Sequence, residues 1–174
     1  MLVWDALGEW SARYRCERID SFPVLASRLE ERARLAYFNP LMMGSPSAFD
    51  SFCRLAWCWL RLAPGALVVE ETASVTQPGK APPAWGTVVR MSLRYGAELY
   101  ALTQRPAESD KTAFGNASLI HAGRAVTPAD RRTLAEYLDV PVATVAALRP
   151  LEWIERDYVT GVSRTGRVST NSKT

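Results

Sequence analysis

Glu70 and Glu71 stand side by side where the apolar run Leu67-Val68-Val69 stops, and Gln104 stands where a second run, Ala101-Leu102-Thr103, stops. In an open α/β sheet ligands gather beyond the carboxyl ends of the strands, so acids and amides placed there are positioned for chemistry rather than packing. Magnesium bound to a nucleotide takes one or two protein carboxylates plus phosphate oxygens, and a neighbouring acid can orient an attacking water. The adjacent glutamates fit those two tasks. Successive side chains on a strand point to opposite faces, so the pair divides the work only if the strand ends there and the backbone turns. Thr72, Ser74 and Pro78 supply that turn. An amide at a strand end both accepts from a water and donates to a phosphate oxygen, which makes Gln104 a candidate sensor of a terminal phosphate. A lone surface strand ending in two glutamates would be an ordinary solvated terminus; the second strand tips the balance towards catalysis.

Basic residues form the other half of the reading. Arg90 and Arg94 are four apart on a helix expected from about Ala84 to Tyr95, so they share one face, either solvated or turned to a phosphate. Lys80, in the polar loop from Thr72 to Pro83, is a candidate contact to a phosphate or a nucleic-acid backbone, against the ordinary solvated lysine. His121 has no partner set and reads as structural. Cys16, Cys53 and Cys58 have neither pairing nor metal spacing, and their odd number, without a signal peptide, fits a reducing cytoplasm. Cys53 and Cys58 read as small apolar packing groups.

Strands and helices alternate along the chain, which predicts an α/β fold with a mostly parallel sheet flanked by helices. A strand at about Leu2 to Asp5 precedes a helix that Ser21 caps and Pro23 opens, running to about Arg32. Leu35 to Phe38 is the next strand. Ser45-Pro46 starts a long helix through Leu62, in which Asp50 and Arg54 can pair. Phe49, Phe52, Trp57, Trp59, Leu60 and Leu62 make that helix apolar, yet its charges leave it short of the ~20 apolar residues of a membrane span. Trp57 and Trp59 cannot face the same core, so one is a candidate contact to a neighbouring subunit, against the alternative that Trp59 packs beneath the loop at Asn39 to Gly44. After the strands at about Leu67–Val69 and Glu98–Thr103, Ser118 to Gly123 is another strand. Thr127-Pro128 starts a helix through Leu138, and Val142 to Leu148 is a short helix. Leu151 to Tyr158 and Gly161 to Val168 form a C-terminal β-hairpin. One domain, 1–168, is expected, with 169–174 a polar tail.

Composition is consistent with this. A chain of 174 residues, 48% hydrophobic and 22% charged, is an ordinary globular protein, able to bury roughly 70% of its unfolded surface. A net charge of +3 is too small to name a partner.

The order and spacing of these segments resemble the HerA/FtsK group of P-loop ATPases, which includes DNA translocases, phage packaging ATPases and zonula occludens toxin-like phage assembly proteins. Leu67 to Glu71 is similar to a Walker B segment, with Glu70 where the group usually has aspartate. Arg94-Tyr95-Gly96 is similar to the basic residue, aromatic and glycine before the next strand. Thr103-Gln104-Arg105-Pro106 is similar to the sensor segment and is the most specific part. Leu2 to Trp10 resembles the group's VWDxxGE strand and loop, and Leu148 to Trp153 its closing segment.

The resemblance implies a RecA/ASCE-like P-loop NTPase fold, ATP and magnesium as cofactors, and DNA as the moving partner. It further implies a homo-oligomeric ring working with phage capsid or assembly proteins. The expected place is the cytoplasm of a bacterial host cell, with virion or membrane association only through partners. Within the site it implies Glu70 as metal ligand, Glu71 as catalytic acid and nucleotide contact, Gln104 as sensor, and Arg94, then Arg90, as the arginine presented by a neighbouring subunit.

No segment matches G-x-x-x-x-G-K-[ST], and Gly79-Lys80 lacks both its spacing and a following hydroxyl. The chain therefore reads as an ATPase domain without its first strand, phosphate loop and first helix, so ATPase activity and nucleotide binding by this chain alone are doubtful. A P-loop-less, non-hydrolysing structural or interaction protein of phage assembly is the alternative. In the first case the strands at about 98–103 and 118–123 should each keep an unpaired edge, flanking a groove lined by Leu99, Ala101, Leu119 and Ile120.

Overall fold

The computed structural model describes residues 1–31 and 33–169. The chain forms two compact units, one of Met1–Gln104 with Glu108–Ala113 and one of Arg105–Ala107 with the chain from Phe114 onward.

In the first unit, strands β1 (Leu2–Trp4), β2 (Glu17–Ile19), β3 (Leu35–Tyr37), β4 (Ala66–Val69) and β5 (Glu98–Ala101) make a five-stranded parallel sheet in the order β2-β3-β1-β4-β5. Parallel neighbours require crossovers. These run through α1 (Trp10–Tyr14), α2 (Phe22–Arg28), α3 (Pro46–Leu62) and α4 (Pro83–Met91).

The two-residue period of the strands sorts their side chains. Leu2, Trp4, Leu35, Tyr37, Leu67 and Val69 join the main core with Phe49, Phe52 and Trp59 of α3 and Trp85 and Val88 of α4. Val3, Ala36 and Val68 gather on the other face with Cys16, packed against Trp10 and Met1. Trp4 is fully buried, stacked on Tyr37 at 5.6 Å and met edge-on by Phe49 and Phe52 at 5.3 and 5.2 Å.

The long helix forms where its cap predicts. The Ser45 hydroxyl accepts the Ala48 N–H at 3.4 Å, Pro46 opens the first turn, and Arg54 pairs with Asp50 at 2.8 Å. Trp59 is buried, while Trp57 is half-buried and edge-on to Tyr95 at 5.1 Å, so the two indoles do point apart. Cys58 departs from expectation: it is exposed, because five residues beyond buried Cys53 the helix has turned its other side outward.

Three other helices are shorter than expected, among them the one expected over Val142 to Leu148, which ends at Ala146. α2 ends at Arg28 and tightens into a 3₁₀ turn, Leu29–Glu31, and Arg32 lies outside the described residues. The Ser21 side chain makes no cap bond there; its carbonyl accepts from Leu25 instead. α4 stops at Met91 rather than Tyr95, since the Ser92 hydroxyl donates back to the Val88 carbonyl and a separate 3₁₀ turn, Leu93–Tyr95, ends at Gly96 with φ 66°. α1, β2 and α5 (Lys111–Gly115) were not foreseen, being short segments without apolar periodicity.

The second unit is an antiparallel sheet of β6 (Leu119–Gly123), β7 (Glu152–Asp157) and β8 (Ser163–Arg167), with α6 (Pro128–Leu138) and α7 (Val142–Ala146). Ile120, Ala122 and Ile154 pack with Leu134, Leu138 and Val145. The Thr127 cap accepts the Asp130 N–H at 3.1 Å, and the β7–β8 hairpin forms where expected. Trp153 lies across Gly166 directly opposite it, close enough that a Cβ there would sit 2.4 Å from the indole. The strand at 119–123 belongs to this sheet. It does not pair with β5, which ends the parallel sheet and leaves Tyr100 half exposed. Of the expected polar tail, residues 170–174 lie outside those described.

Candidate functional site

β4 carries the two glutamates to its carboxyl end, between β1 on one side and β5 on the other. The Glu70 N–H still donates to the Trp4 carbonyl at 3.1 Å, in the ladder with β1. Glu71 then enters the left-handed region, φ 48° and ψ 59°, which turns the chain out of the sheet. The adjacent side chains thereby serve opposite neighbours.

Glu70 faces the loop after β1. Its carboxylate accepts the Leu7 N–H at 3.4 Å and a hydrogen bond from the Trp10 side chain. Burial pushes its carboxyl above the ordinary range, against those two bonds, with nearby Asp5 and Glu9 adding to the rise. Asp5, 1% exposed, ties that loop: its oxygens accept the N–H groups of Gly8, Glu9 and Trp10 at 2.7, 3.1 and 3.0 Å.

Glu71 faces the end of β5. Its two oxygens accept the Gln104 N–H at 3.4 and 3.3 Å, and one also accepts the Thr103 hydroxyl at 3.2 Å. Beneath, the Thr72 N–H donates to the Leu102 carbonyl at 2.9 Å, locking the two strand ends together. Ser109 donates to Thr103 Oγ1 at 3.1 Å and lies 3.2 Å from Thr72 Oγ1. Next to it Asp110, fully buried, accepts the Trp85 indole N–H at 2.8 Å and the Thr112 and Ala113 N–H groups at 2.9 and 3.2 Å.

The structure thus brings Glu70, Glu71 and Gln104 to neighbouring strand ends on one edge of the sheet. Arg90 and Arg94 are exposed and make no ion pair with either glutamate. They do not share one continuous helix: Arg90 is on α4 and lies back over Gly86, while Arg94 is on the 3₁₀ turn. Lys80 is exposed on its loop. His121 is exposed, 3.3 Å from Glu155 and beside Trp153.

Trp10, Ser109 and Asp110 were missed from sequence. Trp10 sits in a segment that attracted attention only for its pattern, and Ser109 and Asp110 reach the site through a turn with no periodic signal. No group of three or more His, Cys, Asp or Glu residues among those described could cage a metal, and no described helix is long and apolar enough to cross a membrane.

No protein-family model matches the chain. Protein P9 of Pseudoalteromonas phage PM2 is 29% identical over 177 residues, spanning 100% of this chain and 78% of that protein. Among solved structures, the genome packaging NTPase B204 from Sulfolobus turreted icosahedral virus 2 in complex with ATP-gammaS superposes with a TM-score of 0.77 at 14% identity, covering 97% of this chain and 82% of that one. Its complex with AMPPCP gives 0.76 at 14%, covering 98% and 83%. B204 described as the DNA-packaging ATPase from Sulfolobus Turreted Icosahedral Virus gives 0.73 at 13%, covering 97% and 82%. The chain has the mixed α/β fold of these viral packaging NTPases.

Proposed function

We propose that the chain is part of a phage-type, DNA-translocating or DNA-packaging P-loop NTPase, for which it supplies the acid, sensor and arginine-finger elements. The observation that carries this is the split pair: Glu70 and Glu71 serve opposite neighbours of β4, and the second is held against Gln104 at the adjacent strand end. Phage protein P9 and the B204 packaging NTPases support the same reading through sequence and fold.

Glu71 orients the attacking water, fixed from one side by the Gln104 N–H and the Thr103 hydroxyl. The Gln104 side chain, exposed beyond the strand, reads the terminal phosphate. Glu70 fits magnesium as one carboxylate among phosphate oxygens, which is the manner in which nucleotide-borne magnesium is held; a dedicated cage would need the clustered ligands that the described residues lack. Magnesium would supply charge neutralisation at the phosphates. Arg94, and after it Arg90, would act across a ring contact, which their exposure permits. Residues 1–174 contain no G-x-x-x-x-G-K-[ST], so the proposal concerns only this side of the site.

The aromatic helix does not argue for a pure interaction protein, because Phe49, Phe52, Trp59 and Leu60 are buried in the core. Titration with a fluorescent ATP analogue, with and without magnesium, tests the proposal. Weak, magnesium-dependent binding, as one side of a site without its phosphate loop allows, is expected, and it should be lost in Glu70→Gln. Its absence from the unsubstituted chain would overturn the proposal and favour a non-hydrolysing assembly protein.

A further inference from the structure

We propose that Ser109 is a positioning residue for Glu71, acting through a one-way chain of hydroxyls. The inference rests on the catalytic reading of Glu71 given above. Ser109 is 3% exposed and 38 residues from Glu71 along the sequence, yet a single side chain, Thr103, separates them in space.

The direction of the chain follows from proton counting. A hydroxyl donates one hydrogen and accepts through its lone pairs. Thr103 spends its hydrogen on the Glu71 carboxylate, which can only accept when ionised. Ser109 spends its own on Thr103 Oγ1. Of the two directions open to the Thr72–Ser109 contact, only donation from Thr72 remains. The order is therefore Thr72 to Ser109 to Thr103 to Glu71, each donor polarised by the next, an arrangement that strengthens every bond in a low-dielectric interior.

The chain also closes on itself. Thr72 follows Glu71 directly, so the same turn that throws Glu71 into the left-handed conformation places the first hydroxyl. Ser109 is anchored from behind: its neighbour Asp110 is fixed by Trp85 of α4 and by its own N–H donating to Thr76 Oγ1 at 3.1 Å. The Thr76 hydroxyl in turn donates to the Thr72 carbonyl at 2.8 Å. The Glu71 carboxylate is thus referenced to the core through three hydroxyls rather than left on a mobile side chain.

Hydrogen exchange resolved by residue tests this on the full chain without nucleotide. The Gln104 N–H reports the carboxylate, whereas the Thr72 N–H, bonded to the Leu102 carbonyl, reports the backbone ladder between the same two strand ends. In Ser109→Ala the Gln104 amide is expected to exchange about two- to tenfold faster, the worth of one hydrogen bond, with the Thr72 amide unchanged. Ser109→Thr, which keeps the hydroxyl, should restore the rate. Thr112→Val, which removes a nearby hydroxyl outside the chain, the one that accepts the Ala81 N–H at 3.1 Å, controls for general loosening. Equal Gln104 rates in wild type and Ser109→Ala, or acceleration of both amides together, would overturn the proposal. Because no nucleotide is present, failure to bind an ATP analogue would remove the catalytic role of Glu71 while leaving this result to decide the positioning by itself.

Discussion

Glu71 and Gln104, 33 residues apart in sequence, meet at adjacent strand ends, where both oxygens of the carboxylate accept one backbone N–H. The contact depends on Glu71 lying in the left-handed region at φ 48°. Such a conformation costs a residue with a Cβ roughly 1–2 kcal/mol, and glycine almost nothing. Glu71→Ala and Glu71→Gly both delete the carboxylate, so the difference between them isolates the backbone. Urea unfolding should find the glycine variant the more stable by about 1 kcal/mol. A more stable alanine variant would show that the turn carries no strain.

The Glu70 carboxyl is raised by burial, so the folded chain binds its proton more tightly than the unfolded chain does. The contribution of Glu70 to stability should therefore fall as pH rises above the ordinary carboxyl value of 4.5. Glu70→Gln removes this loss. The variant should match wild type in acid and gain on it as pH rises through that window, measured by denaturant titration at several pH values. A difference that shrinks with rising pH would contradict the assignment.

Asp110 is a buried carboxylate whose three hydrogen-bond donors include the Trp85 indole and two amides at the start of α5. Asp110→Ala removes the acceptor of the buried Trp85 indole N–H, together with bonds from two half-buried amides. A loss of about 1–3 kcal/mol is expected, the cost of one orphaned buried group. A loss below about 1 kcal/mol would show that water reaches it.

In the antiparallel unit, Gly166→Ala places a methyl 2.4 Å from the Trp153 indole, whereas Gly123→Ala meets nothing nearer than 3.8 Å. Overpacking of this kind costs about 1–3 kcal/mol. Thermal unfolding should separate the two variants, with Gly166→Ala the weaker. Equal melting would mean the indole has another place to lie.

Thiol labelling checks α3. Cys58 is exposed and should react at once, whereas Cys16 and Cys53 are buried, and burial raises both thiols above their ordinary range, Cys53 well above it. One fast thiol per native chain is expected, and three after denaturation.

What could be read from sequence was what local rules fix. Ser45-Pro46 and Thr127-Pro128 mark helix starts because capping chemistry is written in two or three consecutive residues. The strand ends at Glu70 and Gln104 were visible because apolar runs stop there. The end of α4 was not, since Ser92 competes for a carbonyl only once the helix exists. β2 was missed because its three residues gain their places from pairing with β3 rather than from any period of their own. Trp10 and Ser109 escaped for a related reason: a side chain that acts on a residue 38 or 60 positions away leaves no spacing to recognise.

The strand order has a consequence for how the chain comes to be folded. Leu2 pairs with Leu35 on one side and Leu67 on the other, 33 and 65 residues further on. At a synthesis rate of roughly 5–20 residues per second, β1 waits about 3 to 13 seconds for its second partner to be made. Throughout that interval Leu2, Val3 and Trp4 keep at least one strand edge open on a nascent chain. Closing such distant pairs also loses loop entropy before any contact compensates it, so refolding should be slower than for a helical bundle of equal length.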